Sequence, residues 1–475
     1  MNDKVNPRLA ELLETTHSSD KLEVQIFLRQ DEPAFAEAVP DLAEARRVPR
    51  ESSVASISHF LGSVGGAGAV PVQAHFQVLQ TNWINQSVAA EVSPTSLQEI
   101  LQRPDVEHVD LVDHTPLTAL IGTELIEFPP PPNTAKIAPQ VSVVGATHLW
   151  DRGLRGAGAL VAVIDSGINF DQPDLKECAW DGDPNHGFNY ASPGDPPHDK
   201  LGHGTKCAGL VAGNGSLGLT TGVAPEAKLM ALRIEEGQDQ VWSAFRFAIE
   251  NNADVISMSF GWGPDISNYV GWRRACDSLL RAGIVLVCSA GDLGQTGNSA
   301  IPYNVTAPAI CPPPWLHPVQ KRGGRSAAIA CGETDFADDP QPESSLGPGA
   351  WETRPFTDYR YAGGKRQGLL KPDLCAPGRG AITCNWKYDG ILDEEPYLPF
   401  GGTSASTPVL AGCAALLVGA AKRSGKPVLA WRIQEAMERT AVPLKGQTTK
   451  QNIVGSGRVD VAAAYGYGVA KGWWK

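Results

Sequence analysis

Val161-Ala162-Val163-Ile164-Asp165-Ser166-Gly167 is an apolar run that stops at an aspartate. It reads as a short buried strand that delivers a carboxylate at its C-terminal end. From Val141 onwards similar strands recur, at Leu160–Ile164, Lys228–Ile234, Val255–Ser259 and Ile284–Ser289. The clearest helical pattern, Gln240–Asn252, joins two of them. Strand-helix alternation predicts an α/β fold, a mostly parallel sheet with helices on both faces. Active sites in such sheets lie at the C-terminal strand ends, which is where Asp165 falls.

Two further segments complete a constellation. Gly202-His203-Gly204-Thr205 sets a histidine between glycines just before an apolar helix, and Gly401-Gly402-Thr403-Ser404-Ala405-Ser406-Thr407-Pro408 sets a serine at the mouth of a small-residue helix. Taken singly, a capping aspartate, a core histidine and an N-cap serine would explain these residues. In the order Asp, His, Ser they form one of the known chain orders of a nucleophilic triad. Ser404 would attack, His203 would take its proton, and Asp165 would hold the imidazole tautomer. A helix N-terminus at Ser404 would also turn backbone N–H groups towards a developing oxyanion.

Composition narrows the partners. The 475 residues carry a formal net charge of −12, which argues against a nucleic-acid surface. Hydrophobic content of 42% suits a globular chain with a large core. Met1 to Lys21 is polar with no apolar h-region, and no run of 18 apolar residues follows, so neither a signal peptide nor a membrane partner is expected. Nine cysteines, all at or after Cys178 and without CxxC spacing, read as reduced thiols of a cytoplasmic protein. One or two bridges, such as Cys375 with Cys384, stay open.

Four regions follow. Residues 1–21 form a polar N-terminal segment, and residues 22–113 a small α+β unit. In that unit Leu22–Leu28 alternates as an edge strand, Asn85–Val92 and Asp105–Val112 read as strands, Thr95–Leu101 as a helix and Gly62–Ala69 as a loop. Residues 114–140 contain Pro129-Pro130-Pro131-Pro132, a stiff linker. Residues 141–475 carry the α/β unit.

The chain resembles the subtilisin-like serine peptidases. Val163-Ile164-Asp165-Ser166-Gly167-Ile168, Gly202–Thr205 and Gly402-Thr403-Ser404 match the three signatures of that family. Gly222-Val223-Ala224-Pro225, Asp254–Ser259, Lys371–Gly378 and Gly455–Val461 match further segments. The resemblance implies a serine endopeptidase working through an acyl-enzyme on Ser404. It also implies that residues 22–113 are an inhibitor-like propeptide, cleaved between His114 and Gln140, so that the chain is made as a zymogen. A peptide or protein substrate and the chain's own propeptide are the implied partners. No cofactor is required, and a structural calcium is allowed at Asp174, which matches a ligand in many relatives. Ser259-Phe260-Gly261 and Ser289-Ala290-Gly291 would wall the pocket for the residue before the cut (P1), favouring an apolar or small side chain. Glu235-Glu236-Gly237-Gln238-Asp239 would lie on the rim beyond it, either selecting basic residues or standing as an exposed acidic loop.

Some positions depart from the commonest members. Cys207 near His203 is similar to proteinase K-like and kexin-like branches, and inert packing is the plainer reading of it. Asp292, in Ser289-Ala290-Gly291-Asp292, stands where most members carry the asparagine that donates to the oxyanion. An ionised carboxylate has no proton to give there. Asp292 is therefore protonated when the site works, or it is ionised and catalysis is slow, or the enzyme is dead. The alternative functions are a dedicated precursor-processing or macrocyclising peptidase, and an impaired binding module of the same fold. Cys311–Pro318 is an insert-like segment without an assigned role.

Overall fold

The computed structural model of the protein describes residues 4–17, 19–30, 42–65, 75–121, 136–263, 269–294, 301–312, 327–351, 368–390 and 395–475. The proline run 129–132, residues 66–69 of the expected loop and residues 313–318 of the insert-like segment lie outside them.

The N-terminal unit is a four-stranded antiparallel sheet of β1 (Leu22–Leu28), β2 (Phe76–Asn82), β3 (Ser87–Val92) and β4 (Val106–Leu111), in the order β2-β3-β1-β4. β1 is thus central, not an edge. Its alternation survives because the face opposite the unit's own core meets another part of the chain: Phe27 packs edge-on against Trp242, centroids 6.2 Å apart. The edges are β2 and β4, and the sequence reading missed β2; its Gln80 and Asn82 turn towards the second unit. The helix Pro94–Gln102 is capped by Ser93 Oγ, which accepts from the Ser96 amide, with proline in its first turn. A helix not foreseen, Leu42–Gly65, takes in the first four residues of the expected loop. Within residues 1–21, Pro7–Thr15 is helical and capped by Asn6.

The second unit is built on a seven-stranded parallel sheet. Its strands are β5 (Leu160–Asp165), β6 (Gly187–Asn189), β7 (Lys228–Arg233), β8 (Val255–Met258), β9 (Val285–Ser289), β10 (Ile329–Thr334) and β11 (Leu374–Pro377). They run β11-β10-β9-β8-β5-β7-β6, which puts the ends of β5, β8 and β9 side by side. A two-stranded ribbon, β12 (Ala381–Cys384) with β13 (Tyr397–Phe400), leads to the long helix Thr403–Arg423. That helix is long and apolar enough to cross a membrane by composition, yet all of its apolar window is buried in the core. Small residues let it sink against its neighbours: a methyl on Gly412 would stand 2.7 Å from Val223 Cβ.

All nine cysteines are free and buried. Cys375 faces the Val454 carbonyl and Cys384 the Thr221 hydroxyl, so the bridge between them left open by the sequence does not form.

Candidate active site

β5 ends at Asp165, and the helix His203–Ala212 starts against it. A side chain at Gly204 would stand 2.1 Å from the Gly167 carbonyl oxygen, so only glycine lets the helix approach this closely. His203 Nδ1 then lies 2.8 and 3.0 Å from the two Asp165 carboxylate oxygens. The contact selects the tautomer protonated at Nδ1 and leaves Nε2 as the basic nitrogen. Nε2 is buried and has no hydrogen-bond partner. A residue the sequence reading missed prepares this arrangement. Asp199 accepts from Ser166 Oγ, from the Leu201, Gly202 and Thr205 amides and from the Thr205 hydroxyl. Its only signal was an aspartate four residues before the histidine; from outside the N-cap, Gly202, it accepts from the Thr205 amide in the first turn.

Ser404 is the second residue of the helix Thr403–Arg423. Its hydroxyl donates to the Ser259 carbonyl oxygen at 3.0 Å and makes no hydrogen bond with His203 Nε2. Pro408 has no N–H to close the helical bond onto the Ser404 carbonyl, and the Cys207 thiol lies 3.7 Å from that oxygen. The same sulfur is 3.9 Å from His203 Nδ1, so one thiol touches both residues. Burial pushes the Cys207 thiol well up, which keeps it a protonated packing group.

Two carboxyl groups hold the turn before the serine. Asp292 Oδ1 accepts from both the amide and the hydroxyl of Thr403, each at 2.9 Å. Gly402 has a φ of +77°, and a side chain there would stand 3.2 Å from Asp292 Oδ2. Glu333, on β10, accepts from the Gly402 amide at 2.9 Å through Oε1, while its Oε2 has no partner. Burial pushes the Asp292 carboxyl above the ordinary range, against the two Thr403 bonds and with help from the Glu343 carboxylate. Burial also pushes Glu333 well up, with Asp292 adding to it. Asp292 therefore keeps its proton to higher pH than an exposed aspartate. The sequence carries no signal for Glu333 beyond a lone acid near a strand end.

The expected pocket walls flank the serine. Ser259–Gly261 follows β8, and Ser289–Gly291 closes β9. Ser259 receives the Ser404 hydroxyl, and Ser289 Oγ is 2.8 Å from Thr403 Oγ1. Phe260 and Ala290 are buried, so these walls offer chiefly backbone and the bare faces of Gly261 and Gly291.

The model of the subtilase family matches residues 156–468. The chain belongs to the subtilase family. Similar proteins include the major intracellular serine protease of Bacillus subtilis, 34% identical over 161 residues, which is 33% of this chain and 49% of that protein. Subtilisin-like protease SBT6.1 of Arabidopsis thaliana is 27% identical over 331 residues, 68% of this chain and 27% of that protein. Thermitase of Thermoactinomyces vulgaris is 27% identical over 313 residues, 64% of this chain and 88% of that protein. The match thus spans about half of the first relative and about a quarter of the second.

In this subtilase the acidic stretch divides in two. Glu235 and Glu236 are exposed, and their backbone forms an edge that residues 115–117 meet in a single antiparallel bridge: Leu117 N–H donates to the Glu235 carbonyl (2.6 Å), and Gly237 N–H to that of Thr115 (2.9 Å). Asp239 is no rim residue. It sits in the first turn of the helix Gln238–Glu250 and accepts from Asn82 of the N-terminal unit at 2.9 Å. Arg274 reaches the Leu28 carbonyl and the Glu107 carboxylate, and Arg246 the Thr81 carbonyl.

Asp174 of this subtilase does not suit a calcium ion. Its Oδ1 accepts from the Leu217 amide at 2.8 Å and its Oδ2 from the Tyr397 hydroxyl at 2.7 Å. Calcium wants six to eight oxygen ligands, whereas this carboxylate is turned to hydrogen-bond donors. Among the described residues the one group of three side chains able to hold a metal is Asp165, His203 and Cys207, which includes the Asp165–His203 pair described above.

Proposed function

We propose that this subtilase is a serine endopeptidase acting on peptides or proteins, with Ser404 as nucleophile, His203 as general base and Asp165 as its orienting partner. The observation that carries this reading is His203, anchored to Asp165 through Nδ1, with its buried Nε2 left bare beside the serine helix. Rotation of the Ser404 side chain off the Ser259 carbonyl would bring Oγ to Nε2. The proton then passes to His203 as Oγ attacks the scissile carbonyl. The amine leaves with that proton, and water hydrolyses the acyl-enzyme by the reverse path. The Ser404 amide and the protonated Asp292 carboxyl supply the oxyanion donors. No cofactor enters this scheme, and no calcium is assigned at Asp174.

The chain is further proposed to be a self-inhibited zymogen. Residues 22–113 dock on the helices Gln238–Glu250 and Tyr269–Arg281, and residues 115–117 occupy the edge where an extended substrate would add as a strand. Nine free thiols, with two relatives named as intracellular proteases, support a cytoplasmic location.

The test is labelling with a fluorophosphonate combined with mass spectrometry of the purified chain. Wild type is expected to label at Ser404 and to split between His114 and Gln140, and Ser404→Ala to stay whole and unlabelled. An intact, unlabelled wild type would instead favour a binding module that has lost catalysis.

A further inference from the structure

The crevice beside Ser404 has a floor, and the floor stands high. Its two walls leave the ends of β8 and β9, neighbouring parallel strands, as Ser259–Gly261 and Ser289–Gly291. A third segment, Thr306–Ala307, is hydrogen-bonded to Ala290 of one wall and to Trp262, the residue that follows the other. On one side Ala307 and Trp262 exchange backbone bonds of 2.9 Å each. On the other side Thr306 N–H donates to the Ala290 carbonyl at 3.0 Å. The Thr306 side chain therefore projects between the walls, and its position is locked. Its hydroxyl lies 3.3 Å from both the Ser289 and the Ala290 carbonyl oxygens.

The space this leaves follows from the two wall glycines. A methyl built on Gly261 would stand 2.5 Å from Thr306 Oγ1, and one on Gly291 would stand 2.7 Å from Thr306 Cγ2. The threonine thus already touches the α-carbons of both walls. Among the described residues, a substrate side chain entering between them meets Thr306 at that level. Trp262 and Phe260 are packed edge to face at 5.8 Å and are buried, which seals the neighbouring side.

We propose that Thr306 is the specificity-determining residue of this subtilase, closing the P1 pocket so that it accepts only small side chains, those of glycine, alanine and serine. The inference rests on the serine-peptidase reading and narrows its substrate class. A leucine or phenylalanine at P1 would need Thr306 to move, and the threonine is hydrogen-bonded to Ser289 and Ala290 while its neighbour Ala307 is tied to Trp262. Close-packed interiors do not yield such room cheaply.

The experiment compares wild type, Thr306→Gly and Thr306→Val on tetrapeptide substrates that differ only at P1. Fluorophosphonate labelling of Ser404 is measured on each variant to count active sites. Wild type is expected to cleave P1 alanine at least ten-fold better than P1 leucine or phenylalanine in kcat/KM. Thr306→Gly should raise the large substrates by ten-fold or more relative to alanine, mainly through KM. Thr306→Val, which keeps the volume and loses the hydroxyl, should retain the preference for small residues and so separates the plug from any general loosening. Labelling that persists while wild type cleaves P1 phenylalanine as well as P1 alanine overturns the inference and leaves the peptidase reading standing. The same follows if Thr306→Gly leaves the ratio unchanged. Absence of labelling in all three proteins defeats the peptidase reading and the inference with it.

Discussion

Asp292 grips Thr403 twice through one carboxyl oxygen, taking the amide and the hydroxyl of the residue that precedes the nucleophile. An aspartate here works as an oxyanion donor only while it is protonated, and burial favours that form. Because its carboxyl is held above the ordinary value, the donating form persists to higher pH than in an exposed aspartate and is lost as pH rises further. Wild-type kcat/KM should therefore climb as pH falls from neutral. Asp292→Asn supplies a donor at every pH and should be faster than wild type at neutral pH. Removing one oxyanion-hole donor from a subtilisin costs about 10²–10³ in turnover, and that cost sets the upper limit of the gain. A wild-type optimum at neutral pH, together with loss of activity in Asp292→Asn, would refute this account.

Glu333 holds the amide on the other side of the same turn. Glu333→Gln keeps an acceptor for the Gly402 N–H and should label with fluorophosphonate within a few-fold of wild type. Glu333→Ala leaves that buried amide without a partner, which costs about 1–3 kcal/mol, and should lower both the melting temperature and the labelling rate. Equal behaviour of the two variants would deny Glu333 a part in positioning the serine.

Tyr397 does at Asp174 what a cation does for a carboxylate in a loop. Its hydroxyl donates to Asp174 Oδ2 and accepts from the Leu219 amide, tying the acid to the loop. Tyr397→Phe should destabilise the chain by about 1–3 kcal/mol, because it leaves a buried carboxyl oxygen bare. Chelation by EDTA should leave the melting temperature of wild type unchanged. A fall on chelation, reversed by added calcium, would restore the calcium assignment.

Docking of the N-terminal unit should depend on pH through Asp239. Burial at the contact lifts its carboxyl to about 7, against the hydrogen bond from Asn82, with His114 and Asp113 nearby. The docked state thus binds a proton that an exposed aspartate releases. Docking tightens as pH falls from above 7 towards the ordinary carboxylate range and weakens as pH rises through 7. In the Ser404→Ala chain, amide exchange of the helix Gln238–Glu250, corrected for intrinsic rates, should slow between pH 8 and pH 6. Asp239→Asn should remove most of that change. The same pH dependence in Asp239→Asn would take it away from Asp239 and overturn this assignment.

Much of this molecule could be read from local patterns. The apolar run before Asp165, the glycines around His203 and the small-residue helix after Ser404 each record a constraint among near neighbours, so one sequence suffices to see them. Strand order, by contrast, is a matter of pairing at a distance. β1 alternated like an edge strand and is central, because its backbone pairs with both β3 and β4, residues far from it in the chain.

The residues that tune the site belong to that second category. Glu333 meets Gly402 across 69 residues of chain, and Tyr397 meets Asp174 across 223. Thr306 comes between Gly261 and Gly291 only because two adjacent strands end beside it. Covalent spacing determined which side chains could do chemistry here. The folded packing alone decided their surroundings, since burial, charge and room are properties of what long-range contacts bring together. The sequence by itself therefore named the serine, the histidine and the aspartates, and tertiary structure supplied the burial that raises the Asp292 carboxyl and the contacts that hold Thr306 between two strand ends.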